Sequence, residues 1–342
     1  MGAHGLRQPI YDPINSAVPP NVPSDNCNFL FDASQATGSQ ANCATDPNFQ
    51  PIDTRVPYPN LPSNVYANAN ISNSTYNALQ TQLRQRFGHG VTYQVFYTYS
   101  KALDDSSGVN NINGLQAIIQ NPQAIGAEYG PASFDQRHRL TANGSWELPV
   151  GKNKPVSLGW ANWALGDWKL SGIYTLTSGR TFSVYGYTGP GYDELGTPWT
   201  CCGLLRYRAN VSGDPMAGFS QSPTEWFNTN AFSIAPQGTF GDSEKGLLRG
   251  PYFEDLDLSF AKYFPITERQ RLQYRFEIFN VGSNWHSVGR VPDSNVTDSN
   301  FGSLVGSNPT CSNNVCGLPN SEWSRLNLWT PRTIQMSLVY SF

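Results

Sequence analysis

Six cysteines hold the most obvious chemical potential of this 342-residue chain: Cys27, Cys43, Cys201, Cys202, Cys311 and Cys316. Thiols can form disulfides, stay free or hold a metal. Metal ligation needs spacings such as C-x2-C with a second pair or a histidine. His4, His89, His138 and His286 show no such spacing. An even count in an oxidising compartment favours disulfides. Cys27–Cys43 and Cys311–Cys316 would close short loops; Cys201 and Cys202 would form a strained vicinal bridge or pair elsewhere. The run DSNVTDSN (Asp293–Asn300) offers oxygen ligands for Ca²⁺. It lacks the Gly and final Glu of an EF-hand loop, so a polar loop is the better reading. In FDQRHR, Asp135, Arg137 and His138 bring a carboxylate, a guanidinium and an imidazole together, and they read best as a polar cluster at a strand end. The sequence contains no G-x-S-x-G, H-E-x-x-H or P-loop. The chain is therefore expected not to be an enzyme, and no cofactor is implied.

Trp199, Trp226, Trp285, Trp323 and Trp329 fall in connecting segments. Rings there either stack on sugars and apolar ligands or pack a long loop against its scaffold. The formal charge of −3 argues against nucleic acid as a partner. Charged residues make up 14% of the chain and aromatics 13%, with 31 Gly and 25 Pro. That is little charge for a soluble domain. No run of ~18 apolar residues exists, so no transmembrane helix is expected. The first residues lack the charged and apolar regions of a signal peptide.

The elements that would position these groups are strands. Alternation of period two occurs in YNALQTQLRQRF (Tyr76–Phe87), VTYQVFYTYSK (Val91–Lys101), RLTANGSWEL (Arg139–Leu148) and WKLSGIYTLTS (Trp168–Ser178). It recurs in EDLDLSFAKYF (Glu254–Phe264), RLQYRFEIFN (Arg271–Asn280) and the terminal TIQMSLVYSF (Thr333–Phe342). Each run is about ten residues, the length that crosses a bilayer's hydrocarbon core as a tilted strand. Tyr, Trp and Phe crowd the apolar faces, as in aromatic girdles. The polar faces include Gln80, Gln82, Arg84, Gln94, Asn143, Gln273, Arg275 and Glu277. An Arg facing lipid costs roughly 2–4 kcal/mol at the midplane, so these residues are expected to line a wet lumen. Leu79, Tyr97, Trp146 and Phe276 are then expected to face hydrocarbon.

Long connections recur at every second position along the chain. A bacterial barrel has short periplasmic turns and longer external loops, so counting back from a periplasmic C-terminus puts every long connection outside. The reading is all-β: an antiparallel up-and-down transmembrane β-barrel segment of about seven strands, with long extracellular loops. Residues 1–72, rich in Pro, Asn and Ser, read as an irregular extracellular leader; residues 73–342 form the barrel segment.

Four stretches together resemble the C-terminal barrel of TonB-dependent outer-membrane receptors, of the Oar-like, carboxypeptidase-regulatory-domain-bearing group. They are YNALQTQLRQRFGHGVTYQVFYTYSKALDD, EYGPASFDQRHRLTANGSWELPVG, LLRGPYFEDLDLSFAKYFPITERQRLQYRFEIFNVGSNWH and PRTIQMSLVYSF. The resemblance implies residence in the bacterial outer membrane, contact with its lipid, and transport of an oligosaccharide, peptide or siderophore. It makes the last strand, with Tyr340 and Phe342, a signal read by the barrel-assembly machinery. Large transporters of this kind have about 22 strands and a plugged lumen. The sequence shows no plug, so the TonB complex would act only through a missing domain, and the chain reads as a C-terminal fragment or a gene started at an internal Met. An alternative is a non-transporting surface or adhesion protein whose loops bind a partner or glycan. A soluble, glycan-binding β-protein is a third reading.

Overall fold

The computed structural model describes residues 1–13, 15, 47, 50–61, 66–87, 90–107, 119–152, 154–186, 207–236, 239–267, 270–282, 292–304 and 332–342. Eight long strands form the body: β1 (Gly2–Pro13), β2 (Tyr66–Arg86), β3 (Val91–Asp104), β4 (His138–Glu147), β5 (Trp168–Thr177), β6 (Phe253–Pro265), β7 (Arg271–Phe279) and β8 (Thr333–Ser341). They lie in one antiparallel sheet in chain order, and the two-residue strand Gly130–Pro131 makes its ninth member by pairing with the end of β3. The sheet is an up-and-down meander with β1 and β8 at its edges. It is not closed: no pairing joins those two among the described residues.

Seven of these strands coincide with the alternating segments to within a few residues, apart from the start of β2, which lies at Tyr66. The eighth, β1, falls inside the span read as irregular leader. It pairs with the first half of β2, with register shifts between Gly5, Gln8 and Pro9. Residues 66–72 of β2 run beyond the last β3 pair, Ser74 with Asp104, and beyond the Asn73–Asp105 hydrogen bonds that follow it; their strand partner is β1.

Directly opposed residues of neighbouring strands share a face. One row reads Val91, Trp146, Leu170, Phe260, Phe276 and Met336 across β3 to β8. The adjacent row reads Arg86, Thr92, Ser145, Ser171, Ser259, Glu277 and Gln335 across β2 to β8. The sheet therefore has one mainly apolar and one mainly polar face, the apolar row running across the six strands β3 to β8 and the polar row across the seven strands β2 to β8.

Neither face is sealed in a dry interior. Leu79 is 61% exposed, Leu83 55% and Trp146 41%, while Tyr97 and Phe276 are half-buried. The buried apolar cluster lies instead in the connections: Phe182, Val184, Trp226, Phe227, Phe232 and Leu304 are among its members. A soluble two-layer domain buries one sheet face against another layer; here none of the eight long strands contributes a residue to the core cluster.

All long connections, residues 14–65, 105–137, 178–252 and 280–332, leave from one end of the sheet. Residues 87–90, 148–167 and 266–270 turn at the other. In the first of these turns Phe87 donates from its backbone to the Val91 carbonyl at 2.8 Å, and Gly90 takes the left-handed φ of 76°.

Candidate functional site: a polar wall beneath a folded cap

The polar face is concave. A cavity of about 580 Å³ runs along it, lined among others by Arg84, Arg86, Gln94, Asn143, Asp257 and Glu277. The register places all of Gln80, Gln82, Arg84, Gln94, Asn143, Gln273, Arg275 and Glu277 on this face. Arg84, Gln94, Asn143 and Glu277 line the cavity itself. Its charges are segregated: Arg84 and Arg86 stand on β2, Asp257 and Glu277 on β6 and β7. The Glu277 carboxylate accepts from Ser259 Oγ at 3.4 Å and lies 3.7 Å from the Arg275 guanidinium. The wall thus presents amides, hydroxyls and paired charges, groups that hydrogen-bond a polar solute.

The apolar face ends in two aromatic belts. At the long-connection end Tyr99 and Tyr97 flank His138, with centroids 5.2 and 6.2 Å away, and the Tyr97 hydroxyl meets His138 Nδ1 at 2.8 Å. At the other end Trp168 sits edge-on to Tyr274 at 6.2 Å, and Tyr340 stacks on Phe342 at 5.9 Å. Tyr99 and Val91 are eight residues apart along β3, roughly 27 Å at ~3.4 Å per residue. Barrel strands tilt ~35–45°, so this length spans roughly 20 Å along the membrane normal, of the order of the ~25 Å apolar band of a membrane barrel.

Above the long-connection end the loops fold into a cap with its own core. The Phe227 ring contacts Phe301 at 5.3 Å, Phe232 at 5.5 Å and Phe182 at 5.9 Å. Trp226, a candidate for stacking on a ligand or for packing its loop, takes the second role: it is 8% exposed inside this core, and its Nε1 donates to the Arg249 carbonyl at 2.8 Å. A ring buried on that scale has no face left for a ligand. Trp199, Trp285, Trp323 and Trp329 lie outside the described residues, as do Cys27, Cys43, Cys201, Cys202, Cys311 and Cys316. Asp293–Asn300 folds as a polar turn in which the Asn295 amide bridges to Asp298 Oδ1 at 2.9 Å.

Buried polar contacts tie the cap to the strand ends. Asp135, from FDQRHR, accepts from the Ala102 amide at 2.6 Å, from Arg137 Nε at 3.1 Å and from Arg249. Arg208 donates to Glu128 Oε2 at 2.6 Å and to the Ser243 carbonyl at 2.7 Å, and Gln120 bridges from the Arg208 amide to the Gly241 carbonyl. A Cβ on Gly241 would collide with the Arg208 carbonyl, so only glycine permits this approach.

Lys245 donates to the Asp104 carboxylate and to its carbonyl, the latter at 2.8 Å. Burial pushes its ammonium below the ordinary lysine range, and Asp104 pulls it back up. A lysine so depressed binds fewer protons folded than unfolded. The cap therefore gains stability as pH rises from the folded pKa toward the ordinary value near ~10.4. Asp104→Asn removes the upward pull. It is expected to weaken the cap at neutral pH and to enlarge its gain on going to about pH 10, as guanidinium midpoints at the two pH values would measure.

Two groups of residues escaped the sequence reading. The cap's ion pairs join distant segments and leave no local pattern. Trp160 and Trp163, 86% and 69% exposed at the short-connection end, lie in LGWANWALGDW, where a helical spacing of three could have marked them.

A family model described as an outer membrane beta barrel domain matches residues 1–315. No curated protein and no solved structure matches the chain. The family places the chain in the bacterial outer membrane, which explains an apolar face left open between two aromatic belts: the chain belongs to the outer-membrane β-barrel domain family.

Proposed function

We propose that these strands form part of the wall of a TonB-dependent transport barrel that admits a bulky polar ligand such as an oligosaccharide, a peptide or a siderophore. The observation that supports this most is the polar row that runs across β2 to β8 with its segregated charges, facing away from lipid. Backbone groups left unpaired at β1 and β8 are untenable in hydrocarbon, so further strands, toward the ~22 of such transporters, would complete the wall. The capped end faces the medium, as longer loops do in bacterial barrels. The edge strand β8, with Tyr340 and Phe342 outward, is what the assembly machinery would extend by strand addition.

A second reading, surface binding without transport, is favoured by one observation: the loops form a packed cap rather than open coil. Bacteria making the protein separate the two. Under the transport reading, labelled ligand accumulates only while the inner membrane is energised, and a protonophore stops accumulation but not surface binding. Binding that never leads to accumulation, energised or not, supports the second reading.

A further inference from the structure

The connection between β4 and β5, residues 148–167, carries a short helix, Asn162–Leu165, preceded by a 3-10 turn at Gly159–Ala161. It leaves five apolar side chains in water: Trp160 (86%), Trp163 (69%), Leu165 (58%), Val156 (46%) and Leu158 (41%). A loop in the aqueous periplasm has no reason to present two tryptophans and two leucines.

Two anchors fix where this loop sits. Lys262 lies on the apolar face of β6, opposite Trp168 and Tyr274. It is nevertheless 2% exposed, because its ammonium donates to the carbonyls of Gly166 at 2.6 Å and Asn162 at 3.2 Å. The Gly166 carbonyl follows the C-terminal end of the short helix, and the Asn162 carbonyl, at its first residue, also accepts the Gly166 amide at 2.9 Å. The Lys262 Nζ also lies over the rings of Phe264 and Trp168, 5.0 and 6.0 Å from their centroids. Trp168, on the same face, donates from Nε1 to the Ala164 carbonyl at 2.9 Å. Both side chains reach outward from the apolar face, so the helix rests on the barrel's outer side, not over its lumen. The loop is internally braced: Asn162 accepts from the Leu158 amide at 2.9 Å, and Asp167 donates to the Val150 carbonyl at 2.8 Å.

The geometry points to an interfacial membrane anchor: residues 156–165 lie in the boundary between headgroups and acyl chains of the leaflet at the short-connection end, with Trp160, Trp163 and Leu165 inserted. The occupant of this apolar surface is phospholipid, because the surface continues the lipid-facing side of β5 and β6. Tryptophan suits the boundary, since its ring is apolar and its N–H is polar. Lys152, exposed on the same connection, suits the phosphate layer. Lys262 acts as a clip that satisfies the Gly166 carbonyl, which would otherwise meet hydrocarbon unpaired.

This inference rests on the outward reading of the apolar face, and the experiment separates the two. The full chain is reconstituted in phosphatidylethanolamine–phosphatidylglycerol vesicles with and without brominated acyl chains. Trp160→Phe/Trp163→Phe and Trp146→Phe are compared with the parent. Both are expected to lose part of the bromolipid-quenched fluorescence while iodide quenching stays unchanged. Loss of only the iodide-quenched part in Trp160→Phe/Trp163→Phe, with Trp146→Phe behaving as expected, overturns the anchor alone. No bromolipid effect in either variant overturns the outward face itself. Lys262→Met is expected to move the Trp160 and Trp163 signal from lipid to iodide; an unchanged signal removes Lys262 as the clip.

Discussion

Asp135→Asn is expected to loosen the cap by about 2–3 kcal/mol while leaving the strands assembled. Breaking a buried ion pair by removing one partner costs roughly 3–5 kcal/mol. Asp135 is 1% exposed, but Arg137 and Arg249 are 28% and 30% exposed and recover some water, which lowers the figure. The Ala102 amide, bound to Asp135 Oδ1 at 2.6 Å, loses its charged acceptor. Local opening, not global unfolding, is the expected failure. At 1.4 kcal/mol per factor of ten, amide exchange at Ala102 and tryptic cleavage after Arg249 should both accelerate some thirty- to hundredfold. The heat-modifiable gel shift should not move. Cleavage within about twofold of the parent would mean that Asp135 does not hold the cap in place.

What could be read ahead of the structure follows from where each signal resides. Strand faces were legible because the contrast between lipid and water is imposed residue by residue: Val95 and Gln94 differ in character because they look in opposite directions. β1 was not legible. GAHGLRQPIYDP has two prolines and little alternation, and its strand exists because β2 pairs with it. The first half of β2, YANANISNS, is rich in residues of low strand propensity for the same reason. The cap depends on meetings between remote residues, such as Gln120 with Arg208, 88 positions apart, and Asp104 with Lys245, 141 apart. No local period encodes such pairs. The role of Trp226 stayed open in the sequence because a tryptophan in a connection looks the same whether it packs inward or faces solvent. The polar wall was legible residue by residue, but its concavity was not, since curvature belongs to the paired sheet.

Val95 and Gln94 give the decisive comparison for the whole architecture. They are adjacent in β3, near the middle of the apolar band. Val95 opposes Leu83 and Ala142 on the apolar face; Gln94 opposes Arg84 and Asn143 on the polar one. Val95→Arg should cost about 2–4 kcal/mol, the price of an arginine on the lipid side at the midplane. Gln94→Arg should cost no more than about 1 kcal/mol, because a wet wall solvates the guanidinium and the like charge of Arg84 directly opposite adds only roughly 0.2–1 kcal/mol. Guanidinium unfolding of vesicle-reconstituted protein, read by the heat-modifiable shift, measures both. A soluble barrel with an apolar interior would also reject Val95→Arg, so the pair is repeated in short- and long-chain lipids. Mismatch costs fractions of a kcal/mol per Å, so only a lipid-facing strand changes its midpoint with acyl-chain length. Equal penalties at the two positions, or midpoints indifferent to chain length, would remove lipid from the apolar face and with it the barrel's orientation.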